Sequence, residues 1–317
     1  MLRAVRADLQ GFVAQLKDDP QLYQIVEHHF GWSEAAPGGK GVRPLLCLLC
    51  CAAAGGQWEA ALPAASAVEL IHNFSLIHDD IQDRSEFRRH RPTVWKVWGE
   101  ALAINAGDAL FSLARLSTQR LDLPPARLLA VHLILDEACL ELTKGQQRDL
   151  AFSRNGEGTL ARYVRMIEAK TASLLAASAA AGALVAGASA SRRAAFQAFG
   201  RQLGLAFQIL DDVLGVWGAP AQTGKSVGQD LLERKPSYPA LYALEFNPAF
   251  AALWDDATSD LTELLGALEA VGSAEAASQA AGEFTTGCLA SLAGAQPEEA
   301  AAAALRSLAN GLLQRRS

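Results

Sequence analysis

Leu9, Phe12, Val13 and Leu16 recur at the i, i+3, i+4, i+7 spacing of one helix face, so the chain opens on an amphipathic helix. A shorter helix follows through Leu22 to Phe30. The loop SEAAPGGKGVRP then leads into an apolar helix that the pattern starts at Pro44 and stops at Gly55-Gly56. Beyond it, helical periodicity is broken only at Pro and Gly clusters such as DLPP, RNGEG and GAPAQTGKSVGQD. This predicts helices over about 60–85, 99–120, 126–151, 159–187 and 191–217, and three more from about 237 to 315. No stretch alternates β-branched and polar residues as a half-buried strand would, and no repeat, low-complexity tail or long polar linker divides the chain. The pattern predicts one all-α domain over residues 1–317, a bundle in whose core facing helices can build a site.

Composition adds the material of that core. Half the residues are hydrophobic but only 7% aromatic, so the helices pack through Ala and Leu. With 28 basic and 34 acidic residues the formal charge is −6 and no long basic run occurs, which argues against a nucleic-acid partner. The N-terminus meets a charge every few residues and has no apolar core, so no signal peptide is read and a cytoplasmic location is expected. The uncharged run Thr171 to Ser191 is long enough to cross a bilayer but consists mostly of Ala, Ser and Gly, so it predicts a buried helix in tight contact and no membrane span. The five cysteines form no zinc pattern and are expected to be reduced core residues.

Candidate chemistry concentrates in Leu70 to Thr93, LIHNFSLIHDDIQDRSEFRRHRPT. Asp79, Asp80 and Asp83 close an apolar helical run, and Arg84, Arg88, Arg89 and Arg91 follow. At ~100° per residue Asp79 and Asp83 share a face one turn apart and can share a ligand. Carboxylates near a helix C-terminus oppose its dipole, so something should compensate them. A hard cation such as Mg²⁺, bound through carboxylates and substrate phosphates, fits, and the arginines supply forks for those phosphates. The plainer alternative, a solvated acidic turn followed by a basic one, loses ground to a second pair, Asp211 and Asp212, in an equally apolar setting.

Other residues join this pattern. Gly38-Gly39-Lys40 with Arg43 places a flexible backbone and two cations before a helix start, where unpaired N–H groups favour anions. His72 lies only ~20° from Asp79 around the helix and is either a core histidine or a phosphate contact. Lys170 enters an otherwise uncharged region, where a cation requires a partner unless it snorkels. Gln208 sits one turn before Asp211 and Asp212. The polar stretch TGKSVGQDLLERK, with Lys225 and Lys235 near Asp230, reads as a lid over an anion or as a plain connection.

Taken in order, GGK with Arg43, DDIQD followed by RRHRPT, KTA, FQILDD and TGK resemble the trans-prenyl diphosphate synthase family over roughly Gly38 to Leu244. The resemblance implies a single-domain helical bundle of the isoprenoid synthase type, its central helices surrounding a large catalytic cavity. It also implies condensation of isopentenyl diphosphate with an allylic diphosphate using three Mg²⁺ ions. By position, Asp79, Asp83 and Asp211 would bind the metals, with Asp80 and Asp212 in support. Arg88, Lys170 and Lys225 would hold the allylic diphosphate, and Lys40, Arg43, His72 and Arg89 isopentenyl diphosphate, with Thr171, Gln208 and Lys235 as further substrate-binding candidates. Family members are commonly homodimers.

Three positions depart from the family pattern. Gly41 stands where Arg is usual and His90 where Gly is usual, and Gly215 replaces the last aspartate of the second acidic motif, where restoring Asp is expected to be tolerated. Phe74 and Ser75, five and four residues before Asp79, are the candidate floor of the product tunnel. Bulky Phe74 beside small Ser75 favours the twenty-carbon geranylgeranyl diphosphate over the farnesyl or a longer product. A terpene cyclase of the same fold would lack a use for Lys40, Arg43 and Arg89, and a non-catalytic partner subunit would leave both acidic pairs idle.

Overall fold

The computed structural model describes residues 1–32, 39–155, 158–219, 227–256 and 258–313. The protein is all-α, with one two-stranded hairpin among the described residues. Contacts group the chain into two compact units.

The first unit comprises Met1–Cys139, Ala177–Gln197 and Ala295–Ala302. It holds α1 (Leu2–Val13), α2 (Pro20–Phe30), α3 (Val42–Ala53), α4 (Leu62–Gln82), the strands β1 (Phe87–Arg88) and β2 (Arg91–Pro92), α5 (Val94–Trp98) and α6 (Glu100–Thr118), and the start of α7 (Pro125–Asn155). Local chemistry sets the ends of α2: Asp19 accepts from the Leu22 N–H at 3.0 Å, Pro20 starts the helix and Gly31, at φ 66°, closes it. The helix expected to begin at Pro44 begins at Val42, because the first turn needs no N–H donors and Pro44 fits inside it. Helix α4 packs along α6 and against α3, burying Leu46, Leu70, Ile71, Ile77 and Leu110 completely. Each such side chain contributes about 1.5–3 kcal/mol by leaving water.

The second unit comprises Leu140–Ala176, Ala198–Gly294 and Ala303–Ser317. The helix expected over 159–187 is α8 (Leu160–Ile167), a π-helical turn (Glu168–Ala172) and α9 (Ser173–Val185). Then comes α10 (Ala190–Trp217). The three helices expected from about 237 to 315 are five: α12 (Tyr238–Phe246), α13 (Pro248–Asp255), α14 (Leu261–Ala270), α15 (Ser273–Gly294) and α16 (Glu299–Leu313), preceded by the one-turn α11 (Gln229–Leu232). Asn247 caps α13 at its own Pro248, a capping box of Asp260 and Glu263 starts α14, and Gly272 at φ 65° ends that element. These signals divide one periodic stretch. Two apolar clusters fill the unit, one around Tyr163, Met166, Ile209 and Leu241, the other around Val216, Phe250, Leu264 and Leu268.

All five cysteines are free and buried, and burial pushes the Cys51 thiol up to about 11. Among the described residues one helical segment, Trp58–Gln82, is long and apolar enough to cross a membrane, and 67% of its apolar window is buried inside the protein.

Candidate active site

In the first unit, α4 carries its acidic residues into two environments. Asp79 is half-buried and Asp83 exposed, whereas Asp80 is only 2% exposed and faces Arg88. Arg88 Nε donates to Asp80 Oδ1 and Oδ2 at 2.8 and 3.0 Å, and its Nη2 lies 2.7 Å from Oδ1. Burial raises the Asp80 carboxyl against the opposing pull of that guanidinium. Asp80 therefore anchors Arg88, whereas Asp79 and Asp83 are the more exposed carboxylates of the motif.

Beyond the end of α4, Arg88 and Arg89 belong to an antiparallel hairpin pairing Phe87 with Pro92 and Arg88 with Arg91. Its two-residue loop, Arg89 at φ 52° and His90 at φ 63°, has the paired positive φ of a type I′ turn. Arg and His are poor residues for that conformation, so outside contacts hold the turn. Arg91 donates to the His28 and His29 carbonyls at the end of α2 at 3.0 and 3.3 Å, and Thr93 Oγ1 donates to the Ser85 carbonyl at 2.8 Å. The family's usual Gly at this position is explained by the φ of His90.

The hairpin aims Arg89 at the Gly39 backbone, where an added Cβ would come within 2.7 Å of both Nη atoms. Gly41, in the left-handed region at φ 57°, then turns the chain into α3. Arg43 follows, with Nη1 3.2 Å from His72 Nε2. A guanidinium only donates, so His72 accepts at Nε2 and carries its proton on Nδ1. Burial, then the charges of Arg43 and Arg89, hold His72 neutral by lowering it well below its ordinary range. Arg43 Nε is buried without a partner. Behind this cluster Glu69, 8% exposed, receives Asn73 Nδ2 at 3.1 Å, and Asn73 Oδ1 meets His29 Nε2 at 3.1 Å. Glu69 offsets the charges of Arg43 and Arg89.

In the second unit the π-helical turn carries Lys170 and Thr171, and such turns recur at functional sites. Lys170 Nζ pairs with Asp149 Oδ2 of α7 at 2.6 Å. Gly145, one turn earlier, lets α7 touch the turn: a Cβ there would lie 2.6 Å from Lys170 Cα. Thr171 Oγ1 donates to Gln208 Oε1 at 2.9 Å, and Gln208 Nε2 donates to Asp212 Oδ1 at 3.3 Å. Asp211 is exposed, whereas Asp212 is 2% exposed and pushed up by burial to about 6. Lys235 Nζ lies 3.2 Å from Asp230 Oδ2, and a Cβ at Gly215 would overlap that same carboxylate oxygen. Burial opposes the Lys235 charge, but Asp230, Asp212 and Asp211 together raise it.

The first unit thus brings together Lys40's loop, Arg43, His72 and Arg89, and separately Asp79, Asp80, Asp83 and Arg88; the second brings together Lys170, Thr171, Gln208, Asp211, Asp212 and Lys235. Lys225 and Gly38 lie outside the described residues. Glu69, Asp149 and Tyr163 escaped sequence reasoning as site residues; only the demand of Lys170 for a counter-charge signalled one of them, Asp149. Phe74 packs edge-on against Phe111 of α6 and against His78, with centroids at 5.1 and 5.7 Å, and Ser75 is buried with its hydroxyl donating to the His72 carbonyl at 2.8 Å.

Among the described residues no three His, Cys, Asp or Glu converge to hold a metal on their own. The oxygen-only donors at Asp79 and Asp83 in the first unit, and at Asp211 in the second, are each of the chemistry that suits a hard ion taking one or two carboxylates and filling its shell with water and phosphate, as Mg²⁺ does.

Residues 20–270 match the model of the family described as polyprenyl synthetase. The chain is 46% identical over 232 residues to a (2E,6E)-farnesyl diphosphate synthase of Mycobacterium tuberculosis, a match covering 71% of this chain and 64% of that protein's length. It is 40% identical over 288 residues to a geranylgeranyl diphosphate synthase of the same species, covering 86% and 81%. The structure superposes on geranylgeranyl pyrophosphate synthetase from Pyrococcus horikoshii with a TM-score of 0.92 at 33% identity, over 99% of this chain and 96% of the other. A geranylgeranyl pyrophosphate synthase from Corynebacterium glutamicum, solved with isoprenyl diphosphate and magnesium, gives 0.87 at 28% identity over 99% and 98%.

Proposed function

Because this chain belongs to the polyprenyl synthetase family, we propose that it joins isopentenyl diphosphate head-to-tail to an allylic diphosphate, most economically to make the twenty-carbon geranylgeranyl diphosphate. The observation that carries the reading is the cluster of Arg43, Arg89 and neutral His72 beside the acidic helix end of α4. A buried, unpartnered Arg43 Nε and a neutral histidine that keeps its proton on Nδ1 make a seat for a diphosphate.

In this reading Asp79, Asp83 and Asp211 would hold magnesium, Arg88, Lys170 and Lys225 would hold the allylic diphosphate, and Thr171, Gln208 and Lys235 would contact substrate. Bound magnesium, three ions by family resemblance, supplies positive charge to the departing diphosphate. Lys170 and Lys235 aim fixed charge at the same developing negative charge, which favours the transition state over the ground state. The allylic C–O bond breaks, the double bond of isopentenyl diphosphate forms the new C–C bond, and the proton lost from it passes to the released diphosphate. Lys40, Arg43, His72 and Arg89 orient the isopentenyl diphosphate, and apolar helix faces keep water from the cation.

Phe74, braced by Phe111, serves as the floor of the product tunnel. Exposed apolar side chains on the first unit, Ile104 and Leu116 on α6 and Leu129 and Leu133 on α7, the last two 70% and 56% exposed, support a homodimer. A farnesyl product is the second reading, favoured by the identity to the farnesyl-making relative.

The test is incubation of the purified protein with Mg²⁺, isopentenyl diphosphate and an allylic diphosphate, followed by chromatography of the products. Elongation to twenty carbons supports the proposal. A cyclic hydrocarbon from the allylic substrate alone identifies a cyclase, and no turnover at all a partner subunit.

A further inference from the structure

Tyr163 lies at the centre of an apolar cluster with Met166, Ile167, Ile209 and Leu241 and is 2% exposed. Packing accounts for its ring but not for its hydroxyl, which costs free energy in such a place unless bonded. The hydroxyl donates to Asp212 Oδ2. The same oxygen accepts the Tyr238 N–H at 2.8 Å, at the start of α12. Asp212 Oδ1 accepts Gln208 Nε2 at 3.3 Å, and Gln208 Oε1 accepts the Thr171 hydroxyl at 2.9 Å.

The direction of this chain of bonds follows from Asp212. An ionised carboxylate only accepts, so Gln208 must turn its NH₂ toward Asp212; its oxygen then faces Thr171, whose hydroxyl must donate. One buried carboxylate thereby fixes α8, α10, α12 and the π-helical turn to one another. Asp211, the exposed neighbour, sits ~100° further round α10, so whatever fixes the rotation of α10 at Asp212 also fixes where Asp211 is presented.

We infer that Tyr163 is a positioning residue for the reaction: through its hydroxyl it holds Asp212, and through Asp212 it aims Asp211, Gln208 and Thr171. The inference rests on the function proposed above. Removing the hydroxyl leaves a nearly dry carboxylate one donor short and loosens the network as a unit.

The test compares wild type with Tyr163→Phe, Asp212→Asn and the double variant. Tyr163→Phe keeps the ring and should fold with a melting midpoint within a few degrees of wild type. Its kcat should fall about ten-fold while KM for both substrates stays within about three-fold, because a misaimed metal ligand is felt mainly in the transition state. The double variant should be no slower than Asp212→Asn alone, since both changes break one linkage. A Tyr163→Phe kcat within two-fold of wild type, or a double variant whose loss is the product of the single losses, overturns the inference.

A second readout needs no turnover: hydrogen exchange at the Tyr238 amide should quicken in Tyr163→Phe and in Asp212→Asn alike. Unchanged exchange in Tyr163→Phe overturns the anchor. Were the wild type to make no product, the proposed function would fail while the exchange measurement still decided on Tyr163.

Discussion

Asp79 and Asp80 are adjacent in the chain, yet one is half-buried while the other is enclosed with Arg88. Asp211 and Asp212 repeat the division, with Tyr163 and Tyr238 in the place of Arg88. The sequence names all four aspartates but not which of each pair turns inward, because the partners lie 8, 49 and 26 residues away. Gly215 is a second case. Its replacement by Asp reads as harmless along α10, but a side chain there meets the Asp230 carboxylate that holds Lys235. Gly215→Asp should therefore destabilise the fold by about 1–3 kcal/mol, from overpacking and like charge, as measured by urea unfolding. An unchanged midpoint would mean that Asp230 moves aside freely. Phe74 is the third case: Phe74→Ala should lengthen the products while leaving the first condensation nearly unchanged, and chromatography showing the wild-type distribution would exclude it as the floor.

The helices were legible as elements because apolar spacing and Pro or Gly breaks mark them, down to the stop at Gly55-Gly56. The hairpin was not. Arg89-His90 lacks the Asn-Gly signature of its turn, and the contacts that force it, Arg91 onto the end of α2 and Arg88 onto Asp80, are tertiary. The π-helical turn was also hidden, since EAKTA keeps helical periodicity and only the close approach of Gly145 reveals the extra residue. The left-handed His90 leads to a prediction for the hairpin. His90→Gly should stabilise the protein by up to about 1 kcal/mol, the relief at φ 63° being partly cancelled by the greater freedom of Gly in the unfolded chain. Denaturant unfolding checks this, and a loss of stability would show that the His90 side chain makes a compensating contact.

For the molecule as a whole, buried ionisable groups tie stability to pH in opposing ways. Burial, with the charges of Arg88 and Arg89, lowers His29 to about 3, so below pH 6.5 the unfolded chain takes up a proton that the folded chain refuses. Its contribution is full above pH 6.5 and declines as the pH falls toward 3. Asp212, raised to about 6, runs the other way, contributing fully below 3.8 and losing that contribution as the pH rises through 6. The overall profile mixes the two, so the informative quantity is the stability difference between wild type and His29→Gln. It should shrink by about 1.4 kcal/mol per pH unit below 6.5, and a constant difference would show that His29 is not held neutral. The central claim, that metal-held carboxylates in this chain drive allylic ionisation, is tested most directly by a magnesium titration of product formation in wild type, Asp79→Ala and Asp211→Ala. Wild type should be inactive in excess EDTA and recover with added Mg²⁺, while each variant loses several orders of magnitude in kcat at saturating metal; full activity in EDTA, or variants that match wild type, would contradict the account.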